Sequence, residues 1–246
     1  HTRSFHVTGV QTCALPICGK PTVHIKWDEA TAVLVGDALQ TQAFQYLTGA
    51  SADASAVVRL VGSLATASGA LGMVGGQAMD IAAETAEVPL TLAEITALQA
   101  LKTGALIRWS AEAGAVLAGA DPLPLRTYAE ALGLAFQIQD DILDIEGDAE
   151  AAGKRLRKDE DAGKATFVSP LGLEGAKDRA HDLVDEACAA LDPYGKAAEN
   201  LRQAARYTIT RATSGKQNRA DRAPRHNQPT PREYARRNAH PNRCLS

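Results

Sequence analysis

At 246 residues, 25.9 kDa and a net charge of −3, the chain has the size of one large domain or two small ones. It is 45% hydrophobic but only 4% aromatic, so its apolar content is mostly Ala, Leu, Val and Ile, which suits packing between helices and disfavours an all-β fold. No run approaches about 18 apolar residues, which predicts no transmembrane helix, and four cysteines without a CxxC or Cys/His cluster make neither a disulfide framework nor a zinc site. The expected setting is reducing and cytoplasmic.

Residues 1–18 show neither helical nor strand periodicity and lack the continuous apolar core of a secretory signal. Within them, Val7 to Ile17 (VTGVQTCALPI) resembles the in-frame translation of a common sequencing-library adapter. The segment 1–18 is therefore expected to be non-native, and Cys13 and Cys18 to carry no biological information.

From Gly19 to Arg211 the pattern is helical, and helices are predicted near 26–49, 53–82, 91–119, 125–148, 170–191 and 194–211. Val57, Val61, Leu64, Ala65 and Leu71 form one apolar face, and Leu92, Ile95, Leu98, Leu101 and Ala105 a second. A third comprises Leu183, Val184, Ala187, Ala190 and Leu191. Thr91 followed by Glu94 three residues on is a capping box, and Asp121-Pro122-Leu123-Pro124 breaks one helix from the next. Gly72, Gly75 and Gly76 fall on or near a helix, where glycine costs about 1 kcal/mol relative to alanine; they mark either close helix packing or room for a ligand.

Asp140, Asp141 and Asp144 lie in a helix among Phe136, Ile138, Ile142 and Leu143, with Asp140 and Asp144 one turn apart on one face. Carboxylates gathered on a partly buried face repel unless a cation joins them, and oxygen ligands of this kind suit Mg²⁺. The other reading is a solvated acidic stripe. Lys102 lies upstream on another helix, beside Thr103, and Lys154 and Lys164 follow glycines downstream. Each lysine alone reads as a surface charge; with the acids they make a set suited to a diphosphate.

Residues 211–246 hold nine basic and two acidic residues, net +7. Apolar residues beyond alanine are almost lacking after Ile209, so 212–246 is expected to be a basic, disordered tail without enough apolar surface to offset chain entropy. Without interleaved aromatics other than Tyr234 it is not expected to bind nucleic acid.

Several segments stand in the order and spacing of the trans-polyprenyl diphosphate synthases: Gly19-Lys20-Pro21-Thr22-Val23-His24, Gly36-Asp37-Ala38-Leu39, Gly75-Gly76-Gln77-x-x-Asp80, Leu101-Lys102-Thr103-Gly104, Phe136-Gln137-x-x-Asp140-Asp141-x-x-Asp144 and Gly163-Lys164-Ala165-Thr166. Over about Gly19–Arg211 the chain resembles the bacterial farnesyl and geranylgeranyl diphosphate synthases. The resemblance implies an all-α, isoprenoid synthase-type helical bundle around a central cavity, a homodimer, and a reaction joining isopentenyl diphosphate to an allylic diphosphate (dimethylallyl or geranyl) with Mg²⁺, Mn²⁺ being the alternative ion. Carried over by position, it implies Asp140, Asp141 and Asp144 as metal ligands, and Lys102, Thr103 and Gln137 as catalytic residues. It implies Lys154, Lys164, Gln77 and Asp80 as substrate-binding residues.

The chain departs from the family before Gly19, where a first aspartate-rich motif and two arginines are expected and residues 1–18 stand instead. The expectation is a truncated half-site, without activity on its own and with apolar faces such as Val57, Val61 and Leu64 left partly exposed. Two other readings are a non-catalytic dimerising partner subunit and a class I terpene cyclase; the latter lacks the Gly36-Asp37-Ala38-Leu39 and Gly163-Lys164-Ala165-Thr166 patterns.

Overall fold

The structure, a computed structural model, describes residues 21–50, 52–152 and 166–211. The adapter-like segment 1–18, the tail 212–246, Lys154 and Lys164 lie outside the described residues. Among the described residues every regular element is a helix, as the apolar spacing predicts. In chain order these are α1 (Val23–Lys26), α2 (Glu29–Thr48), α3 (Ala54–Ser68), α4 (Met73–Ala83), α5 (Leu92–Gln99), a π-helical turn (Ala100–Gly104), α6 (Ala105–Ala118), α7 (Leu123–Ala152), α8 (Val168–Ala190), a 3₁₀ segment (Asp192–Ala198) and α9 (Glu199–Thr210).

The predicted 53–82 helix is two helices, broken at Gly69–Gly72. A Cβ on Gly72 would fall 2.1 Å from the Ala67 carbonyl oxygen, so only glycine lets the chain fold back this closely. By length and composition Ala54–Ala83 is apolar enough to cross a membrane, although it was not predicted to from its apolar runs. It is nonetheless interrupted at that break, carries Arg59 and Asp80, and buries Ala56, Leu60, Leu64 and Ala67 on one face. That face differs from the predicted one. Val57 and Val61 are only half-buried and Leu71 is 80% exposed, because the seam with α6 runs one residue earlier along the helix. Trp109 on α6 reinforces the seam by donating its indole N–H to Ser63 Oγ at 3.0 Å.

The Thr91–Glu94 capping box is formed in full, and the Thr91 backbone N–H and hydroxyl, both donating to Glu94 Oε2, hold that carboxyl below its ordinary value. Ile95, Leu98 and Ala105 are buried along one stripe, as are Leu183, Val184, Ala187 and Leu191 on α8. Most of the core joins α7, α8 and α9. It is rich in alanine (Ala129, Ala135, Ala176, Ala180, Ala187, Ala205), so the helices approach closely around Ile138, Ile142 and Leu183. Tyr128 is buried there and donates its hydroxyl to the Leu201 carbonyl at 2.9 Å, tying α7 to α9.

The other side of the molecule is less covered. No residue of α2 is buried, and Leu34, Leu39 and Tyr46 are more than 60% exposed. Of the face expected to be partly exposed, Val57 and Val61 are half-buried and Leu64 is buried; larger exposed apolar side chains include those on α2, Val58, Leu71 and Val88.

Candidate active site

Lys102 and Thr103 stand on the π-helical turn that joins α5 to α6. Such a turn is wider than an α-helical one and is frequent at functional sites. Both α4 and α7 pack against it. On the α4 side, a Cβ on Gly76 would lie 2.2 Å from the Lys102 amide nitrogen and 2.6 Å from its Cα, so the two backbones touch. On the α7 side, a Cβ on Gly133 would lie 3.5 Å from the Gly104 Cα. Of the two readings of the α4 glycines, close packing is the one the Gly76 contact fulfils.

One turn beyond Gly76, Asp80 forms an ion pair with the Lys102 ammonium. Both side chains are about three-quarters buried, with 23% and 30% exposure, so the pair is less screened than a surface one. Asp80 on α4 is therefore brought to Lys102, and Gln77, half-buried, directly follows Gly76 on the same helix. Gln137, half-buried, follows one turn after Gly133 on α7.

The three aspartates occupy the next turns of α7, and their surroundings depart from a shared metal position. Asp140 Oδ1 accepts from Arg211 Nη2 at 2.7 Å. The same guanidinium donates to the Phe136 carbonyl at 3.1 Å and lies 4.2 Å above the Phe136 ring. Asp141 Oδ2 accepts the backbone N–H of Phe167 at 2.8 Å, which places a carboxylate at the start of α8. Asp144 is half-buried on the Asp140 face. Hard oxygen donors one turn apart have the chemistry Mg²⁺ uses. As arranged, however, they do not fit an ion: among the described residues no three His, Cys, Asp or Glu side chains are grouped to hold one. Spacing within α7 offers Asp140 no cationic side chain; Arg211 supplies one. It stands 71 residues away, just past α9, where no spacing pattern connects it to Asp140. The only local hint was an arginine directly after the last apolar turn, at Ile209.

The sequence model of the polyprenyl synthetase family matches residues 19–219. The chain belongs to that family. Among polyprenyl synthetases, the farnesyl diphosphate synthase of Escherichia coli (strain K12) is 47% identical over 176 residues, covering 69% of this chain and 58% of the relative. The crystal structure of a FPP/GFPP synthase from Zymomonas mobilis superposes with a TM-score of 0.68 at 48% identity, over 78% of this chain and 65% of that one. A geranyltransferase from Helicobacter pylori, complexed with magnesium and isoprenyl diphosphate, gives 0.62 at 36% identity, over 77% of this chain and 63% of that one. The chain thus spans about six-tenths of the length of these relatives. The isoprenyl synthase likeness accords with the all-α fold expected from the apolar spacing.

Proposed function

We propose that this polyprenyl synthetase chain carries the allylic-diphosphate wall of a farnesyl diphosphate synthase-like prenyltransferase in isoprenoid biosynthesis. The observation that supports it most directly is the Lys102–Thr103 turn, fixed from one side by Gly76 and Asp80 and followed across Gly133 by Gln137. The proposed substrates are isopentenyl diphosphate and dimethylallyl or geranyl diphosphate. The relatives' activity, and a neighbour complexed with magnesium and isoprenyl diphosphate, support Mg²⁺ dependence of the whole enzyme, with Mn²⁺ as the alternative.

In this reading the allylic C–O bond breaks and its electron pair leaves on the diphosphate. The double bond of isopentenyl diphosphate attacks the allylic cation, and a proton is then lost to the departing pyrophosphate. Lys102 holds the diphosphate and offsets the charge that develops on it; Lys154 and Lys164, outside the described residues, have the same proposed role. Thr103 and Gln137 orient the ester oxygen and the reacting carbon, and Gln77 lines the same wall. Asp80 sets the position of the Lys102 ammonium between turnovers.

The enzyme is proposed to be cytoplasmic and homodimeric, without nucleic-acid partners or stable membrane insertion. The uncovered apolar residues of α2 support a second copy as their cover. The Arg211–Asp140 pair favours a second reading, a non-catalytic partner subunit, because it removes a proposed metal ligand from service.

The test joins this chain to the N-terminal part of a farnesyl diphosphate synthase relative and measures incorporation of radiolabelled isopentenyl diphosphate with geranyl diphosphate. The expected result is product from the chimera, lost on Lys102→Ala, and none from the 246-residue chain alone. A folded, dimeric chimera that yields no product supports the partner-subunit reading instead.

A further inference from the structure

A cleft of about 160 Å³ lies where α7, α8 and the last turn of α9 meet. Gln139, Ile142 and Glu146 line it from α7, Lys177, Ala180 and His181 from α8, and Ile209 from α9. By the 3.6-residue period, Gln139, Ile142 and Glu146 stand on the opposite side of α7 from Gln137, Asp140 and Asp144, so the cleft is separate from the candidate active site. Its floor is apolar: Ile142 and Ala180 are each 1% exposed, and Ile209 is half-buried. At its exposed rim the Lys177 ammonium is held by Glu146 at 3.0 Å and by Glu174 at 3.1 Å, and His181 is exposed. The remaining lining group is Gln139, which is 8% exposed and whose carboxamide makes no hydrogen bond with the described residues. A buried carboxamide without partners forfeits the hydrogen bonds it had in water, and such groups are normally paired.

We propose that this cleft binds a small neutral molecule with a branched apolar body and an amide or hydroxyl head, the head pairing with the Gln139 carboxamide. Size sets the first restriction: a cavity of about 150 Å³ takes a benzene-sized molecule, so about six or seven heavy atoms fill this one. Chemistry sets the second. A carboxamide offers N–H donors on one side and an oxygen acceptor on the other, which a primary amide meets with two hydrogen bonds and a hydroxyl with one or two. Charge sets the third. Lys177 is already held by two carboxylates, so it is not free to receive a diphosphate or a carboxylate, and burying an anion against Ile142 and Ala180 is unfavourable. A molecule seated there touches α7, α8 and α9 at once, and so ties the end of α9 to the other two helices.

The test titrates isovaleramide, and separately its charged isostere isovalerate, into the full chain carrying isotope-labelled isoleucine methyl groups, at neutral pH and followed by nuclear magnetic resonance. Isovaleramide is expected to give saturable shifts at Ile142 and Ile209 with a Kd of about 1 mM, and none at Ile25 on α1. Isovalerate is expected to bind weaker by about tenfold or more. Gln139→Leu, which keeps the bulk and removes the partner of the head group, is expected to weaken isovaleramide by about tenfold. No saturable shift at Ile142 and Ile209 overturns the site. Isovalerate binding as tightly as isovaleramide overturns the neutral ligand class. An unchanged Kd in Gln139→Leu overturns the pairing with the carboxamide. Should Gln139→Leu not fold by circular dichroism, Gln139→Met, unbranched like glutamine, is measured in its place and decides on the same outcomes.

Discussion

Gly76 and Lys102 meet backbone to backbone: a single methyl on Gly76 would sit 2.2 Å from the Lys102 amide nitrogen. The crossing of α4 with the π-helical turn is thus set by backbone contact, with no room for a side chain at Gly76. It also brings Asp80 to the Lys102 ammonium, so the same contact that packs the helices positions the charged pair.

Gly76→Ala is accordingly expected to destabilise the protein by about 3 kcal/mol or more, at or above the upper end for overpacking, because backbone cannot swing aside as a side chain can. Urea denaturation measures it. Gly62→Ala is the control, since a Cβ there meets open space in the middle of α3, and it is expected to stabilise slightly through helix propensity. Equal effects of the two substitutions would show that the Gly76 contact is not a close one.

Tyr128 links stability to alkaline pH. Burial, and then the nearby Cys188, push its phenol above the ordinary tyrosine value. The folded state thus favours the protonated form. That contribution is fully present below the unfolded value near about 10 and is lost as pH rises through the higher folded value. Wild-type stability is expected to fall in that window, and Tyr128→Phe to flatten the decline. At neutral pH the same variant should cost about 1 kcal/mol for the lost hydrogen bond to Leu201. Thermal melts at pH 8 and above 10 check both parts.

Asp140→Ala tests the Arg211 pair as a stabilising contact. From sequence alone the substitution, in a chain restored with a family N-terminal part, is expected to slow turnover far more than it destabilises the fold. With Arg211 12% and Asp140 28% exposed, a cost in stability is expected as well. A double-mutant cycle of Asp140→Ala with Arg211→Gln, read by denaturant unfolding, should give a coupling of about 1–3 kcal/mol. A coupling near zero would mean the pair adds nothing net.

Deletion of residues 212–246 is expected to leave the thermal midpoint unchanged, because the composition of the segment offers almost no apolar surface to bury. Extending the deletion through Arg211 should lower the midpoint, since Arg211 bonds to Asp140 and Phe136. Differential scanning calorimetry of the two truncations separates these outcomes.

Whatever depends on spacing within one helix was determined by the sequence itself. The capping box at Thr91 and Glu94, the buried stripes of Ile95 and Leu98 and of Leu183, Val184 and Ala187, and the placement of Asp140 and Asp144 on one face all follow from the 3.6-residue period. What depends on a second element did not follow. The apolar period of α3 was visible, but its seam uses Ala56, Leu60, Leu64 and Ala67 rather than the valines, because contact with α6 chose the face. The close approach of Gly76 to Lys102, and the π-helical turn that carries Lys102, involve helices meeting across 26 positions of sequence, where propensity is silent. Asp141 finds the Phe167 amide, and Asp140 finds Arg211 at 71 residues' separation. Sequence marks a buried carboxylate as needing a positive partner, but only the packing of α9 on α7 supplies a guanidinium there rather than leaving the position to a metal ion.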